Sequence, residues 1–334
     1  GGEDFVEHKQ SAAATVADTG RQQLNIGRYI APFIRWMILL GLVIVLSFLN
    51  ENFFTWNNII NVLRQASILT VVGVGLTGVL LTGGIDLSVG GVMALVGCLT
   101  AQLLRSGISI PLAVVIGLSA AVVVGLCTGF LVGVVKLPPF VGTYGMFWIT
   151  EGIAMILMQG AIIFGLARGF RVIGTGYIGQ IPVPVVIAFS LAIIAHFFLQ
   201  STTVGREIYA VGANKAAAFY SGIKTQKTLI TVYVFSAVMA GIAGLIMTAR
   251  LDAAQAGMGA PFVLQGIAAV VMGGTSRTGG EGGIPGTVVG ALILTLVVNG
   301  MNLMGISSLA QELVVGAVIL LAVFLDQMRR YWTD

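Results

Sequence analysis

Few residues in this chain can do chemistry, and they lie far apart. Only 9% of its 334 residues are charged, while 57% are hydrophobic. Glu151, in "FWITEGIAM", is an ionisable group set inside an apolar run. A carboxylate at such a depth is costly unless it is paired, hydrated or protonated, so it either lines a polar path or is held as a structural group. Asp86 stands in "LTGGIDLSVGG" (81–91), with a glycine pair on each side. It can cap a helix starting near Leu87 and complement the positive end of that helix, or it can mark a break close to a path. Asn61, Arg64 and Gln65 form a polar edge on one apolar stretch, and Asn299 and Asn302 share a face of another at i, i+3. Polar groups on several helices suit a path for an uncharged polar solute, or hydrogen bonds between helices. The spacing leaves both open.

Other chemistries lack their residues. No GxxxxGK[ST] occurs, so nothing cradles ATP phosphates. "GVGLTG" (73–78) matches GxGxxG but precedes no strand and lies within an apolar stretch, so it reads as helix packing rather than a dinucleotide fingerprint. His8 and His196 are isolated, and Cys98 and Cys127 have no metal-type spacing and read as small buried hydrophobes. No catalytic cluster, metal or cofactor is expected, and the chain is expected not to be an enzyme.

These residues are carried by apolar stretches. The mean hydropathy is +1.00, and apolar runs near the roughly 20 residues that span a bilayer recur along the chain. The fold expected is all-α and polytopic, with ten spans: Pro32–Leu49, Ile60–Leu81, Leu87–Leu104, Ile110–Val135, Phe140–Met158, Val185–Leu199, Thr228–Ala249, Phe262–Met272, Thr287–Met304 and Leu309–Leu325. Residues 1–30 read as a flexible polar tail without a leader pattern, 31–326 as the membrane domain and 327–334 as a second tail. The 46 glycines mark close helix packing and the breaks between helices. Ten spans put both termini on one side. With the N-terminus inside, 12 of the 17 Lys and Arg fall on the cytoplasmic side, which favours an N-in, C-in orientation and accounts for the net charge of +4 without nucleic acid. "LTGGIDLSVGG" and "GGTSRTGGEGGIPG" (273–286) then both fall at cytoplasmic turns, hinting at an internal repeat.

The polar stretch 200–227 is too long for a simple turn. Within it "NKAAAFYSGI" reads as a short helix, capped by Asn214 and stopped by Gly222. Ala216, Phe219, Tyr220 and Ile223 fall on one apolar stripe. Such a stripe lies on the membrane surface or docks another protein.

"LTGGIDLSVGG", "KLPPFVGTYG", "IPVPVVI", "GREIYAVGANKAAAFYSGI" and "IAAVVMGGTSRTGGEGGIPGTVVGALI" resemble the permeases of bacterial ATP-binding-cassette sugar importers, the group that serves ribose, xylose, arabinose, galactosides and autoinducer-2. The resemblance runs from about the first span to the last. It implies a multi-pass subunit of the bacterial inner membrane that moves a small uncharged carbohydrate inward by alternating access. It also implies three partners: a second permease subunit, a cytoplasmic ATPase and a periplasmic sugar-binding protein. Residues 205–222 match the segment that enters the ATPase, which assigns coupling to Gly212, Ala213, Asn214, Lys215, Phe219, Tyr220 and Gly222. Asn61, Arg64, Gln65, Asp86, Glu151, Asn299 and Asn302 are the pathway candidates. The chain departs from its relatives where they often read "YELDAIAAV": here "PFVLQGIAAV" puts Val263 and Gln265 in place of acids, and Glu151 stands where an arginine is often found. The alternative class is a secondary transporter or channel that needs no ATPase.

Overall fold

The computed structural model describes Phe33 and residues 35–331; the expected tail over 1–30, Pro32 and residues 332–334 lie outside the described residues. Among the described residues, apolar helices of two lengths carry the fold. Six are long and apolar enough to cross a membrane: α2 (Trp56–Leu81), α4 (Ile110–Gly133), α5 (Pro139–Met158), α7 (Val183–Ser201), α10 (Thr225–Leu251) and α12 (Ile284–Leu303). Shorter apolar helices are α1 (Arg35–Leu49), α3 (Val89–Arg105), α11 (Ala260–Met272) and the Ser308–Val318 part of α13 (Ser308–Tyr331). Three short helices fill the connections: α6 (Arg168–Thr175), α8 (Thr203–Ala213) and α9 (Lys215–Tyr220). The only strands among the described residues are two-residue clips. β1 (Ile163–Phe164) pairs with β4 (Ala253–Ala254), and β2 (Tyr177–Ile178) pairs with β3 (Ile181–Pro182), both antiparallel. The chain is thus a mostly helical polytopic protein.

Local chemistry moves several helix ends from where hydropathy alone puts them. α2 starts at Trp56 rather than Ile60 because the Thr55 hydroxyl accepts the Asn58 N–H at 3.4 Å, which draws the polar Asn57 and Asn58 into the first turn. α7 and α11 start at Val183 and Ala260, two residues early, because Pro184 and Pro261 are tolerated in a first turn. α10 runs from Thr225 to Leu251 and takes in Arg250, and α13 continues past Leu325 to Tyr331.

α2 sits at the centre. In its most apolar window 72% of residues are buried, against 28% for α4 and for α7, whose outer faces carry exposed Leu112, Val115, Phe189 and Phe197. Glycines set the spacing around α10. A Cβ on Gly75 of α2 would lie 3.0 Å from the Ser236 Cα; one on Gly125 or Gly129 of α4 would lie 2.6 Å from the Val234 Cα or 2.7 Å from the Ile230 Cα. The backbones of α2, α4 and α10 are therefore in contact, the arrangement small residues permit where lipid offers no hydrophobic drive.

Gly129→Leu is expected to force α4 off α10 and cost about 1–3 kcal/mol or more, read as a lower unfolding midpoint in detergent. Gly145→Leu on α5, where an added Cβ meets nothing within 4 Å, should stay near the wild type. Equal behaviour of the two variants would contradict the packing account.

Candidate functional site

At one end of the bundle the two glycine-rich turns meet. The first leaves α2 through Gly83, whose φ of +75° favours glycine. It is then pinned by Asp86, whose carboxylate is 1% exposed. Oδ1 accepts the Ser88 N–H at 2.9 Å and the Ser88 hydroxyl at 2.6 Å, and Oδ2 accepts the Ser236 hydroxyl of α10 at 2.7 Å. Asp86 thus closes the turn ahead of α3 by holding Ser88, the residue that precedes the helix, and α3 begins at Val89 rather than Leu87. Burial pushes the Asp86 carboxyl above its ordinary value, and the Ser88 and Ser236 hydrogen bonds pull it back. The hydrogen bonds join the turn to α10, and none of them reaches a first-turn N–H of α3.

The second turn joins α11 to α12. The Ser276 N–H donates to the Glu281 carbonyl at 2.8 Å, and the Gly280 N–H donates to the Leu81 carbonyl at the end of α2 at 2.9 Å. Arg35 of α1 donates to the Gly273 carbonyl. α8 is seated on this joint. Gly212 lies so close that a Cβ there would collide with the Leu81 carbonyl and lie 2.6 Å from the Gly280 N. The Tyr209 hydroxyl donates to the Gly282 carbonyl at 2.9 Å, and burial pushes its phenol up. Ala213 packs against Gly280. α9 follows immediately. Asn214 Oδ1 accepts the Ala217 N–H at 2.9 Å, and Gly222, at φ +86°, ends the helix, as the residue types predict. Ala218 is buried beneath it, while Phe219 and Tyr220 are 63% and 86% exposed with their rings 5.8 Å apart. Lys215 and Ala216 are exposed and Ile223 is half-buried.

The opposite end of the bundle holds the polar edge of α2. Arg250 of α10 donates to Asn61 Oδ1 at 3.1 Å. Arg64 donates to the Thr175 carbonyl at 3.0 Å and lies over the Tyr177 ring at 4.8 Å. Gln65 points elsewhere, into a cavity of about 160 Å³ that it lines with Arg250, Gln265, Thr295, Phe262 and Val298. Beside this cluster, the Arg171–Asp252 ion pair at 3.3 Å and the Leu166 N–H to Asp252 bond at 2.8 Å fold the 160–184 connection onto the end of α10.

The remaining candidates separate. Glu151 is 2% exposed and neither carboxylate oxygen has a hydrogen-bond partner, although the Gly257 backbone is close. Asn299 exchanges hydrogen bonds with Asn58 of α2 at 2.7 and 3.1 Å, and Asn302 accepts from Gln311 of α13 at 2.8 Å. Both amides are committed to bonds between helices. Sequence reading singled out neither Tyr209 nor Ser236, because their partners lie far away in the chain, nor Thr295, whose cavity is lined by residues from distant helices. Among the described residues no group of acidic, His or Cys side chains could hold a metal ion.

The two glycine turns and the short helix with its exposed rings thus lie together at one end of a bundle of apolar helices. The family described as branched-chain amino acid transport system / permease component matches residues 58–323. The chain belongs to that family. It is a multi-pass transport permease of the bacterial inner membrane and not an enzyme. The ribose import permease of Bacillus subtilis is 42% identical over 90% of this chain and 93% of its own. The ribose import permease of Escherichia coli K12 is 40% identical over 87% and 92%, and the D-allose transport system permease of the same organism 37% over 83% and 86%. No solved structure matches the chain.

Asp86→Ala would leave the Ser88 and Ser236 donors unpaired in a buried turn, at a cost of about 1–3 kcal/mol. Asp86→Asn keeps an acceptor for the Ser88 N–H. Thermal unfolding in detergent is expected to rank the wild type and Asn above Ala; a ranking with Ala level with Asn contradicts the role of Asp86 in pinning the turn.

Proposed function

We propose that this chain is the transmembrane subunit of an ATP-binding-cassette importer that carries a small carbohydrate into the cytoplasm. The observation that carries this reading is the 42% identity to a ribose import permease along nearly the full length of both chains. All ten apolar helices cross the membrane, with both termini inside, as the distribution of Lys and Arg favours. The tails at 1–30 and 327–334 then lie in the cytoplasm with the 200–227 segment. The polar edge of α2 faces the periplasm, where a sugar-binding protein delivers its load. A second permease subunit covers part of the apolar outer faces of α4, α5 and α7, and lipid covers the rest.

No nucleotide motif exists in this chain, so ATP energy enters through contact with a cytoplasmic ATPase. α9 is the contact. A push on Phe219 and Tyr220 passes through Gly212 and Tyr209 to the Leu81 carbonyl and the 273–283 turn, and so reaches the ends of α2, α11 and α12 together. Asp86 carries the same push to α3 and α10. Binding protein and ATPase bias opposite ends of one two-state bundle.

Aromatic anchors at an interface centre often cost about 2 kcal/mol or more when truncated, and about 2.7 kcal/mol is a hundredfold in affinity. Phe219→Ala with Tyr220→Ala should therefore leave binding-protein docking intact, weaken co-purification of the ATPase roughly a hundredfold, and uncouple ATP hydrolysis from uptake in vesicles. Co-purification and uptake at wild-type levels would refute α9 as the contact. A single cysteine replacing Lys215 should react with a membrane-impermeant maleimide only after cells are opened; labelling of intact cells would invert the orientation.

A further inference from the structure

At the end of the bundle remote from α8 and α9, two cations stand without a carboxylate to answer them among the described residues. Arg250 reaches only the neutral Asn61 amide. Arg64 reaches one carbonyl and one ring, and its Nε is buried with no hydrogen-bond partner. Asn61 and Arg64 stand at i, i+3 on α2, so Arg250, bonded to Asn61, shares that face with Arg64. The nearby Asp252 is already spent on Arg171 and on the Leu166 N–H. The cavity of about 160 Å³ beside them has Arg250, Gln65, Gln265 and Thr295 as its polar lining, and no Asp or Glu.

Each feature has a chemical consequence. A guanidinium near the apolar interior is costly when unpaired and is stabilised by an anion that enters with its substrate. Its planar fork fits two carboxylate oxygens at once. The Gln65 and Gln265 amides can each donate to and accept from sugar hydroxyls. The Thr295 hydroxyl donates to the Ala291 carbonyl at 2.8 Å, which leaves it free to accept. Phe262, Leu294 and Val298 supply the apolar wall against which a carbon skeleton packs.

We infer that this cavity is a substrate site for a sugar acid, an aldonate or uronate whose carboxylate is held by Arg250, with Arg64 adding to the positive field and Gln65, Gln265 and Thr295 reading its hydroxyls. The inference rests on the reading of the chain as a sugar permease, and it replaces the expectation of an uncharged solute with one that carries a single negative charge.

The test is direct binding to the purified permease in lipid nanodiscs, with D-ribonate, D-ribose, D-ribose 5-phosphate and acetate as probes. D-ribonate is expected to bind at least about tenfold more tightly than D-ribose or acetate, and to weaken with rising ionic strength. Arg250→Gln should abolish that preference, Arg250→Lys should keep part of it, and Gln265→Glu should invert it. Each variant must first match the unliganded unfolding midpoint of the wild type; Gln265→Glu, which changes no buried cation, serves where Arg250→Gln fails to fold. Equal binding of D-ribose and D-ribonate, an unchanged preference in Arg250→Gln, or binding of D-ribose 5-phosphate alone would each overturn the sugar-acid site. ATP-driven uptake of D-ribose that persists despite such a result leaves the importer reading standing, whereas loss of ATPase association in the wild type removes that reading whatever the cavity binds.

Discussion

Helices inside a bilayer gain nothing by hiding apolar side chains from one another, because lipid tails are as apolar as leucine. What holds this bundle is backbone contact, and backbone contact needs glycine. Gly75, Gly125 and Gly129 bring α2 and α4 onto α10, and Gly244 brings α10 onto the backbone of α3 at Met93. The same constraint governs the joint at the α8 end. Gly212 can touch the Leu81 carbonyl and Gly280 only because none of the three places a side chain between them that must be accommodated at that point. Packing in the membrane and transmission at its edge therefore rest on one device, a residue without a Cβ where two backbones meet.

The hydrogen bonds follow from that closeness. Once the turns touch, the Gly280 N–H finds the Leu81 carbonyl, a carbonyl that the end of a helix would otherwise leave open. Asp86 then finds Ser236 across the gap and Ser88 along its own chain. Every donor aimed at Asp86 comes from a different element or a different atom type, so the turn resists displacement in any direction independent of α3 and α10. A rigid turn of this kind passes on a push instead of absorbing it.

Local signals made part of this legible. The α9 cap and stop were readable because Asn214 and Gly222 act on residues three or four positions away, and the spans were readable because hydropathy sums over a window. The two glycine turns were readable as motifs, and their sequence likeness had suggested a repeat. What composition could not convey was that they touch each other, since the Gly280–Leu81 bond joins segments nearly two hundred residues apart. The same holds for the site residues. Asn299 and Asn302 share a sequence spacing, yet one turns to Asn58 and the other to Gln311. Arg64 and Gln65 are neighbours in sequence and face different surroundings, because successive residues on a helix point about 100° apart. Gln265 was visible only as a departure from relatives, and its position in the cavity wall gives that departure a physical meaning.

The contrast between the two ends is itself informative. At the α8 end Asp86 is a buried carboxyl with its hydrogen bonds filled, and such a group favours one geometry. At the far end Arg64 keeps a buried nitrogen without a partner, and within the bundle Glu151 keeps two such oxygens. An unfilled group penalises the conformation in which it is found, and each missing bond counts for roughly 1–3 kcal/mol. A transporter needs two states of nearly equal free energy, and unsatisfied polar atoms are a simple means of raising the stabler one toward the other. The filled contacts thus lie at the joint, and the unfilled ones lie in the bundle and at its far end.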